Sequence, residues 1–328
     1  MSSIAASTRG INRDNIRNIV IQQTAINPMT TTFGNPFGNT ILYQFPNAQS
    51  FMQCEVAIGN LYMFYSWFNI TAAFGNNTFS YLWPNSGGTL TTYNVTIPDG
   101  YYSLDDLNAY FEGVQLQNGT YLYAGSGAAA TTTPVYFLTW ASNSSAYRTT
   151  LTSLLLPTAA GEAAAGYNTP ANYAPAAGGA LPPVAANPEL VILAANAAAG
   201  TVTPGQYSFS KTLGFSPGTY PPANTAAFYN INGQFPPVIE STSNVLVSCN
   251  MVLANGLSRF PQVLYTLSPT VAFGSQIQEK PFFPLFMQVA DGSYDSIVIQ
   301  IQDENGLPLN MQDPHINLIL FVRGGGGA

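Results

Sequence analysis

Residues that could carry acid–base or nucleophilic chemistry are few in this 328-residue chain, and they lie far apart in the sequence. His315 is the only histidine, so a Ser-His-Asp or Cys-His arrangement would have to use it. Its position after Pro314 and before an apolar run is typical of the polar face of a strand or of an interface. Cys54 and Cys249 form no Cys-x-x-Cys pair, and we predict that both are free and buried. A zinc site would need the two cysteines, His315 and a fourth ligand to converge, so we predict no catalytic, metal-binding or cofactor-binding residues and no cofactor.

A group of carboxylates near the C-terminus offers a second kind of chemistry. Paired acids can hydrolyse glycans or bind a hard cation such as calcium between subunits. The group consists of Asp291, Asp295, Asp303, Glu304 and Asp313. Because Asp291 precedes Gly292, Glu304 precedes Asn305-Gly306 and their spacing is unlike that of an EF-hand, we interpret them as turn residues. A calcium site and a glycan-cleaving enzyme remain the lesser alternatives.

Three of the eight basic residues, Arg9, Arg13 and Arg17, lie in the first 17 positions. Their spacing would place them on one face of a helix. Segments that bind genomes usually carry longer basic blocks, and three charges would hold phosphate only weakly. The apolar stretch from Ile16 to Ile21 suits docking on a neighbouring protein. We therefore predict that this arm tethers the chain to a protein neighbour, with DNA contact as the second possibility.

The composition indicates an all-β protein. Only 7% of the residues are charged, against about 25% in an ordinary domain. Gly, Pro and Asn punctuate turns, while Thr, Val, Tyr and Phe suit strands. A net charge of −7 without a basic domain disfavours nucleic acid as a partner. A surface with few charges loses little when it is buried against neighbours, because desolvating charges is costly.

Targeting signals are not evident in the sequence. The first residues lack a charged segment followed by an apolar one, so we expect no secretion signal. No stretch of about 18 continuous apolar residues occurs, so we expect no membrane span. Five Asn-x-Ser/Thr sequons are present, which chance explains in a chain this rich in Asn and Thr; they begin at Asn69, Asn76, Asn94, Asn118 and Asn143.

The strongest strand patterns lie in the last third of the chain. They predict core strands at Val245–Leu253, Ile297–Asp303 and Ile316–Val322. In the first of these, every odd position from Val245 to Leu253 is apolar. The polar run Asp303–Gly306 predicts a hairpin turn, and Gly59-Asn60 predicts a bulge within an earlier strand.

One helix stands out at Ser103–Glu112. Ser103 and Asp106 have the spacing of a capping box, and Leu104, Leu107 and Phe111 fall on one face. We predict that Gly113 ends it. Asp105 and Asp106 are interpreted as residues that cap the helix, not as a catalytic pair.

These elements predict a division of the chain into five parts. Residues 1–17 form the N-terminal arm, 18–113 the first part of a β-sandwich and 207–323 its second part. The Ala-, Pro- and Gly-rich residues 114–206 form a long irregular insertion with islands of strand, and 324–328 a flexible tail.

Several segments resemble the penton, or vertex, capsid proteins of large eukaryotic DNA viruses, virophages and polinton-like viruses. They cover roughly residues 50–115 and 207–323, and their order along the chain is more specific than any one of them. The matching segments are Ser66–Thr71, Asn76-Asn77, Ile97–Ser103, Asp106–Asn108, Leu213–Phe215, Tyr220-Pro221, Val247–Asn250, Leu264-Tyr265, Ser268-Pro269, Gly274, Glu279, Pro281 and Ile299–Leu309.

The resemblance implies a single jelly roll of two four-stranded antiparallel sheets, with the insertion decorating its outer surface. It also implies a structural protein of the virion that forms homopentamers at icosahedral fivefold vertices. Its partners would be capsomers of the double-jelly-roll major capsid protein, and also minor capsid proteins or a vertex fibre. A minor capsid or cement protein, and a receptor- or glycan-binding β-sandwich of a spike or fibre, are the alternative functions.

Overall fold

The structure is a computed structural model of the chain, and it describes residues 16–23, 39–173, 179–193, 208–222, 225–240, 242–253 and 262–324. The chain divides into two compact units. The first unit contains Met1–Trp67 and Thr242–Ala328, and the second contains Phe68–Ser241. The second unit is therefore inserted into the sequence of the first.

Antiparallel strands dominate both units, as the composition predicts. The strands are β1 (Ile16–Gln23), β2 (Thr40–Phe51), β3 (Cys54–Phe64), β4 (Thr78–Pro84), β5 (Leu90–Thr96), β6 (Leu122–Ala124), β7 (Pro134–Val135), β8 (Leu138–Asn143), β9 (Arg148–Ser153), β10 (Tyr167–Asn168), β11 (Glu189–Ile192), β12 (Gly218–Tyr220), β13 (Tyr229–Asn232), β14 (Val245–Cys249), β15 (Val263–Leu267), β16 (Gln276–Glu279), β17 (Met287–Gln288), β18 (Gly292–Asp303) and β19 (Ile316–Gly324). The helices are α1 (Leu104–Gln117), α2 (Phe209–Leu213) and a 3₁₀ turn at Gly127–Ala129. No helix in the described ranges is long and apolar enough to cross a membrane.

In its described residues, the first unit contains two sheets. One has the order β1-β19-β3-β16, with the short strand β17 also pairing with β3, and the other has the order β15-β14-β18-β2. The first sheet thus has five strands where the sequence analysis predicted four. Apart from β17, the unit has eight strands in its described residues. They pair first with eighth, second with seventh, third with sixth and fourth with fifth.

Each sheet of this unit buries one face. In β19 the side chains of Ile316, Leu318, Leu320 and Val322 are buried while those between them are less so. Ile297, Ile299 and Ile301 follow the same alternation in β18. Both strands lie where core strands were predicted, and they bury alternate side chains because successive side chains of a strand point to opposite faces.

The predicted bulge in β3 is present. The pairing between β3 and β19 shifts register between Ile319 and Leu320, which are opposite Asn60 and Ile58. Gly59 is the residue passed over. The ring of Phe321 occupies the space that a Cβ at this position would fill, so a larger residue would force that ring to move.

Over the residues that the structure describes, the second unit contains three small antiparallel sheets and both helices. The sheets have the orders β12-β11-β4-β5, β10-β6-β7 and β13-β9-β8. Its core is rich in aromatic rings: Phe79 stacks on Phe209 with centroids 4.7 Å apart, and Phe111 stacks on Trp140 at 4.8 Å. The unit therefore has a hydrophobic core of its own.

Helix α1 begins as predicted but ends later. The Ser103 hydroxyl accepts the N–H of Asp106, and the Asp106 carboxylate accepts the N–H of Ser103. Hydrogen bonds from the Ser103 hydroxyl and backbone hold the pKa of Asp106 below its ordinary value. The prediction that Gly113 ends the helix is wrong, since the helix continues to Gln117 and is capped at Asn118.

The compact units differ from the predicted parts. Residues 68–113 and 207–240, which the sequence analysis assigned to the sandwich, lie within Phe68–Ser241 together with residues 114–206. The physical reason is the aromatic core, because Phe79 and Phe111 precede residues 114–206, Phe209 follows them, and all three belong to one cluster.

Candidate assembly and binding surfaces

Of the predicted arm residues, Arg17 is the one that the structure describes. It lies in β1, where it pairs with Val322 of β19, so residues 16–17 belong to a strand and not to a free arm. Arg9 and Arg13 lie outside the described residues. The stretch from Ile16 to Ile21, which was predicted to dock on a neighbouring protein, pairs along β19 of the same chain. Ile16 and Val20 remain exposed on this strand, whereas Ile21 is buried.

A second apolar feature is the loop between β16 and β17, residues 281–286. Phe282 is 89% exposed and Phe283 is 81% exposed, and Leu285 is also exposed. The two phenylalanine rings contact each other edge to face, with centroids 4.6 Å apart. Large adjacent apolar side chains in solvent mark an interaction surface. We call residues 281–286 the phenylalanine loop.

Arg323 anchors the end of this loop. Its guanidinium lies over the Phe286 ring, 3.7 Å from the centroid, while its Nε donates to the Glu55 carboxylate. The C-terminal end of the phenylalanine loop is therefore held by contacts with β19, whereas Phe282 and Phe283 are exposed to solvent.

Several of the carboxylates near the C-terminus accept backbone N–H groups. The buried Asp303 accepts the N–H groups of Asn305 and Leu307, at 2.9 and 2.8 Å, which forms the predicted turn before Gly306. Asp291 accepts the N–H of Gln53 at 2.6 Å. Within the described ranges, no three His, Cys, Asp or Glu side chains converge as metal ligands would.

Within the described residues, the single histidine and the two cysteines do not form one cluster of metal ligands. The His315 ring is exposed, and its Nδ1 lies 2.6 Å from the Asp313 carboxylate. Cys54 and Cys249 are buried and are not bonded to each other, as predicted. Burial raises the pKa of Cys54, and it raises the pKa of Cys249 to about 11. Because the thiolate is the nucleophilic form, neither thiol is activated.

Two of the five sequon asparagines are buried. The amide nitrogen of Asn69 donates to the carbonyls of Tyr102 and Ile239, at 2.7 and 3.0 Å. That of Asn76 donates to the carbonyl of Asn69 at 2.8 Å. These side chains hold loops together and are not available for glycan attachment.

The second unit contains an open groove with a volume of about 480 Å³. One wall is the hairpin that joins β8 and β9, with Tyr147 and Arg148, and the other is the segment Pro236–Glu240. Tyr147 is 71% exposed and has a φ of 51°. A bulky side chain in this left-handed region is uncommon and strained. We call this cavity the hairpin groove.

Neither the phenylalanine loop nor the hairpin groove was predicted from the sequence. A signal for the loop was present, because Phe282 and Phe283 lie between Pro281 and Pro284, and proline is excluded from central strands. The groove had no comparable signal, because its two walls are about 90 positions apart in the sequence.

No protein-family model and no curated protein matches this chain. Among solved structures, the crystal structure of the selenomethionine-labelled mavirus penton protein is similar to it with a TM-score of 0.42 and 9% sequence identity. The similarity covers 94% of this chain and 99% of that chain.

Proposed function

We propose that this chain is a structural subunit of a viral capsid, and that the unit formed by Met1–Trp67 and Thr242–Ala328 is a single jelly roll. The observation that carries the proposal is the pairing of its eight strands, first with eighth through to fourth with fifth. A long antiparallel ribbon that folds back on itself and wraps into two sheets has this pairing. Jelly rolls are shared by viral capsid proteins, lectins and cupins.

Two features favour the capsid protein over the other jelly rolls. The sequence resembles vertex capsid proteins in segments that run in order along the chain, from Ser66–Thr71 to Ile299–Leu309. The surface also suits burial, since only 7% of the residues are charged and the phenylalanine loop exposes two adjacent aromatic rings. Removing such apolar surface from water favours association.

The same resemblance supports the finer proposal that five copies form the fivefold vertex of a virion. The neighbours would then be capsomers of the major capsid protein. We propose that the role is structural and not catalytic, which is supported by the buried, unactivated thiols and by carboxylates that hold turns. A minor capsid protein would share these features and would differ in its position in the shell.

The mass of the purified full chain in solution, measured by light scattering, tests the proposal. We expect a species of five times the 35.0 kDa chain mass. About 1 M NaCl should dissociate it little, because salt screens interactions between charges and leaves apolar contacts in place. A stable monomer at high concentration would contradict the vertex role, and a trimer would favour a fibre or spike head.

A further inference from the structure

The hairpin groove holds one of the few cations of the second unit. Phe68–Ser241 contains two basic residues, Arg148 and Lys211, against seven acidic ones. Among the described residues, the Arg148 guanidinium makes one side-chain hydrogen bond, to the carbonyl of Tyr147 at 3.1 Å, and no ion pair with a carboxylate. Its remaining N–H groups, in the fork geometry that matches a carboxylate, are available at the groove.

The rest of the groove combines an aromatic ring, aliphatic surface and hydroxyl groups. Tyr147 presents its ring next to Arg148, and Pro236, Pro237 and Val238 form an apolar wall. Ser142 and Ser144, both exposed, add hydroxyl groups, and Glu240 adds a carboxylate that accepts the hydroxyl of Tyr101. A volume of about 480 Å³ lies within the usual range for small-ligand sites.

We propose that the hairpin groove binds a terminal acidic sugar of a glycan. The sugar carboxylate pairs with Arg148, and one C–H face of the ring packs on Tyr147. Its hydroxyl groups exchange hydrogen bonds with Ser142, Ser144 and Glu240. This function goes beyond the capsid role, and it depends only on residues of the second unit.

The charges of the groove favour a sugar over an acidic peptide. Arg148 and Glu240 together give the groove no net charge, so a ligand with one carboxylate and many neutral hydroxyl groups fits both. A peptide with several carboxylates would meet one cation and would be repelled by Glu240. The backbone of Tyr147 is strained and holds an exposed ring at the groove. Backbone strain of this kind is concentrated at functional sites, which favours a ligand that packs on this ring.

Binding of 3′-sialyllactose and of a hyaluronan tetrasaccharide to the full chain tests the inference, with lactose as the neutral control. Calorimetry or saturation-transfer NMR measures the affinity. We expect at least one acidic probe to bind and lactose to bind about tenfold more weakly or not at all. Arg148→Gln should weaken the acidic probe by about 10- to 100-fold, as loss of a charge-assisted pair does, while Arg148→Lys should keep part of the affinity.

Two controls separate the outcomes. Lys280→Gln removes an exposed positive charge from the first unit and should leave the affinity unchanged. A thermal melt of Arg148→Gln checks that the variant is folded, and its mass in solution checks assembly separately, so failure here is distinguishable from failure of the capsid proposal. Equal binding of lactose, unchanged affinity in folded Arg148→Gln, no binding of either acidic probe, or tighter binding of a penta-glutamate peptide would each overturn the inference.

Discussion

Arg323 and Glu55 face each other across strands β19 and β3, with Nε and Oε2 2.5 Å apart. Their side chains are 21% and 17% exposed, so the pair is largely removed from water. The guanidinium also covers the ring of Phe286. In a chain with so few charges, one ion pair thus joins two central strands to the phenylalanine loop.

Removing either partner should destabilise the first unit. We expect Glu55→Ala and Arg323→Ala each to lower the free energy of unfolding by about 1.5–3 kcal/mol, because the remaining charge stays buried without its partner. Urea unfolding measures the loss. His315→Ala, which breaks the exposed contact with Asp313, is the matched control and should cost at most about 1 kcal/mol. Equal costs for the buried and the exposed pair would contradict the prediction.

The phenylalanine loop should contribute to assembly and not to folding. The double variant Phe282→Ser/Phe283→Ser should unfold within about 0.5 kcal/mol of the parent, as surface substitutions usually do. The proposed pentamer should dissociate at concentrations at least about tenfold higher, because each phenylalanine buried at an interface contributes about 1.5–3 kcal/mol. Sedimentation over a dilution series measures this. Val184→Ser, at an exposed position in the second unit, is the control, and an equal effect there would count against the loop.

Local patterns predicted the elements well where neighbours in the sequence decide the structure. The capping box of Ser103 and Asp106 sets the start of α1. Its end was missed because glycine inside a helix costs only about 1 kcal/mol. The buried Gln115, which donates to the carbonyl of Leu138 at 2.8 Å, lies in the additional turn. The helix therefore continues past Gly113 through a contact that no local pattern contains.

The strand faces were predicted with one error. Val245, Val247, Cys249 and Met251 are buried as expected, but Leu253 is exposed. The strand β14 ends at Cys249 and the chain turns at the next two residues, so the alternation of faces stops there. An apolar run alone does not show where a strand ends.

The boundary at Phe68 could not be read from the sequence. Residues on both sides of it are aromatic, uncharged and strand-forming, so composition does not change there. What separates the units is long-range packing, such as Phe79 on Phe209. For the same reason, no sequence pattern predicts that Tyr147 and Val238 line one groove.

The buried Glu189 should make the stability of the second unit depend on pH. Burial raises its pKa above the ordinary value of 4.5. The folded state therefore holds the proton more tightly than the unfolded state, and stability falls as pH rises through the folded-state pKa. Glu189→Gln should melt at a higher temperature than the parent at neutral pH, with the difference shrinking in acid below the unfolded-state pKa. A difference that is constant from pH 4 to pH 8, or that has the opposite sign, would contradict this.

The arm prediction is now best tested by a deletion that spares β1. Removing residues 1–15 takes away Arg9 and Arg13 but leaves Ile16–Gln23 paired with β19. We expect the isolated subunit to keep its melting temperature and to be incorporated poorly at the vertex of assembled particles. Removing residues 1–17 would also delete the first two residues of β1. A loss of stability that occurs only in this longer deletion would therefore come from the shortened strand. Particles that form normally and only lose their genome would favour DNA contact over the protein tether.

Deletions within the middle of the chain should distinguish the predicted insertion from the compact unit. Replacing Phe68–Ser241 by a flexible Gly/Ser linker removes a whole core, and the first unit should still unfold cooperatively, since its eight strands pair among themselves. Removing only residues 114–206 should destabilise the chain more than the larger deletion does. The smaller deletion takes Phe137, Trp140 and Leu151 out of a cluster that retains Phe79, Phe111 and Phe209. Such a chain exposes apolar surface that was buried, so we expect it to bind a hydrophobic dye and to aggregate. Circular dichroism and urea unfolding of the two deletion variants, side by side, measure the difference. If the smaller deletion folds as well as the larger, the aromatic cluster does not hold Phe68–Ser241 together as one unit.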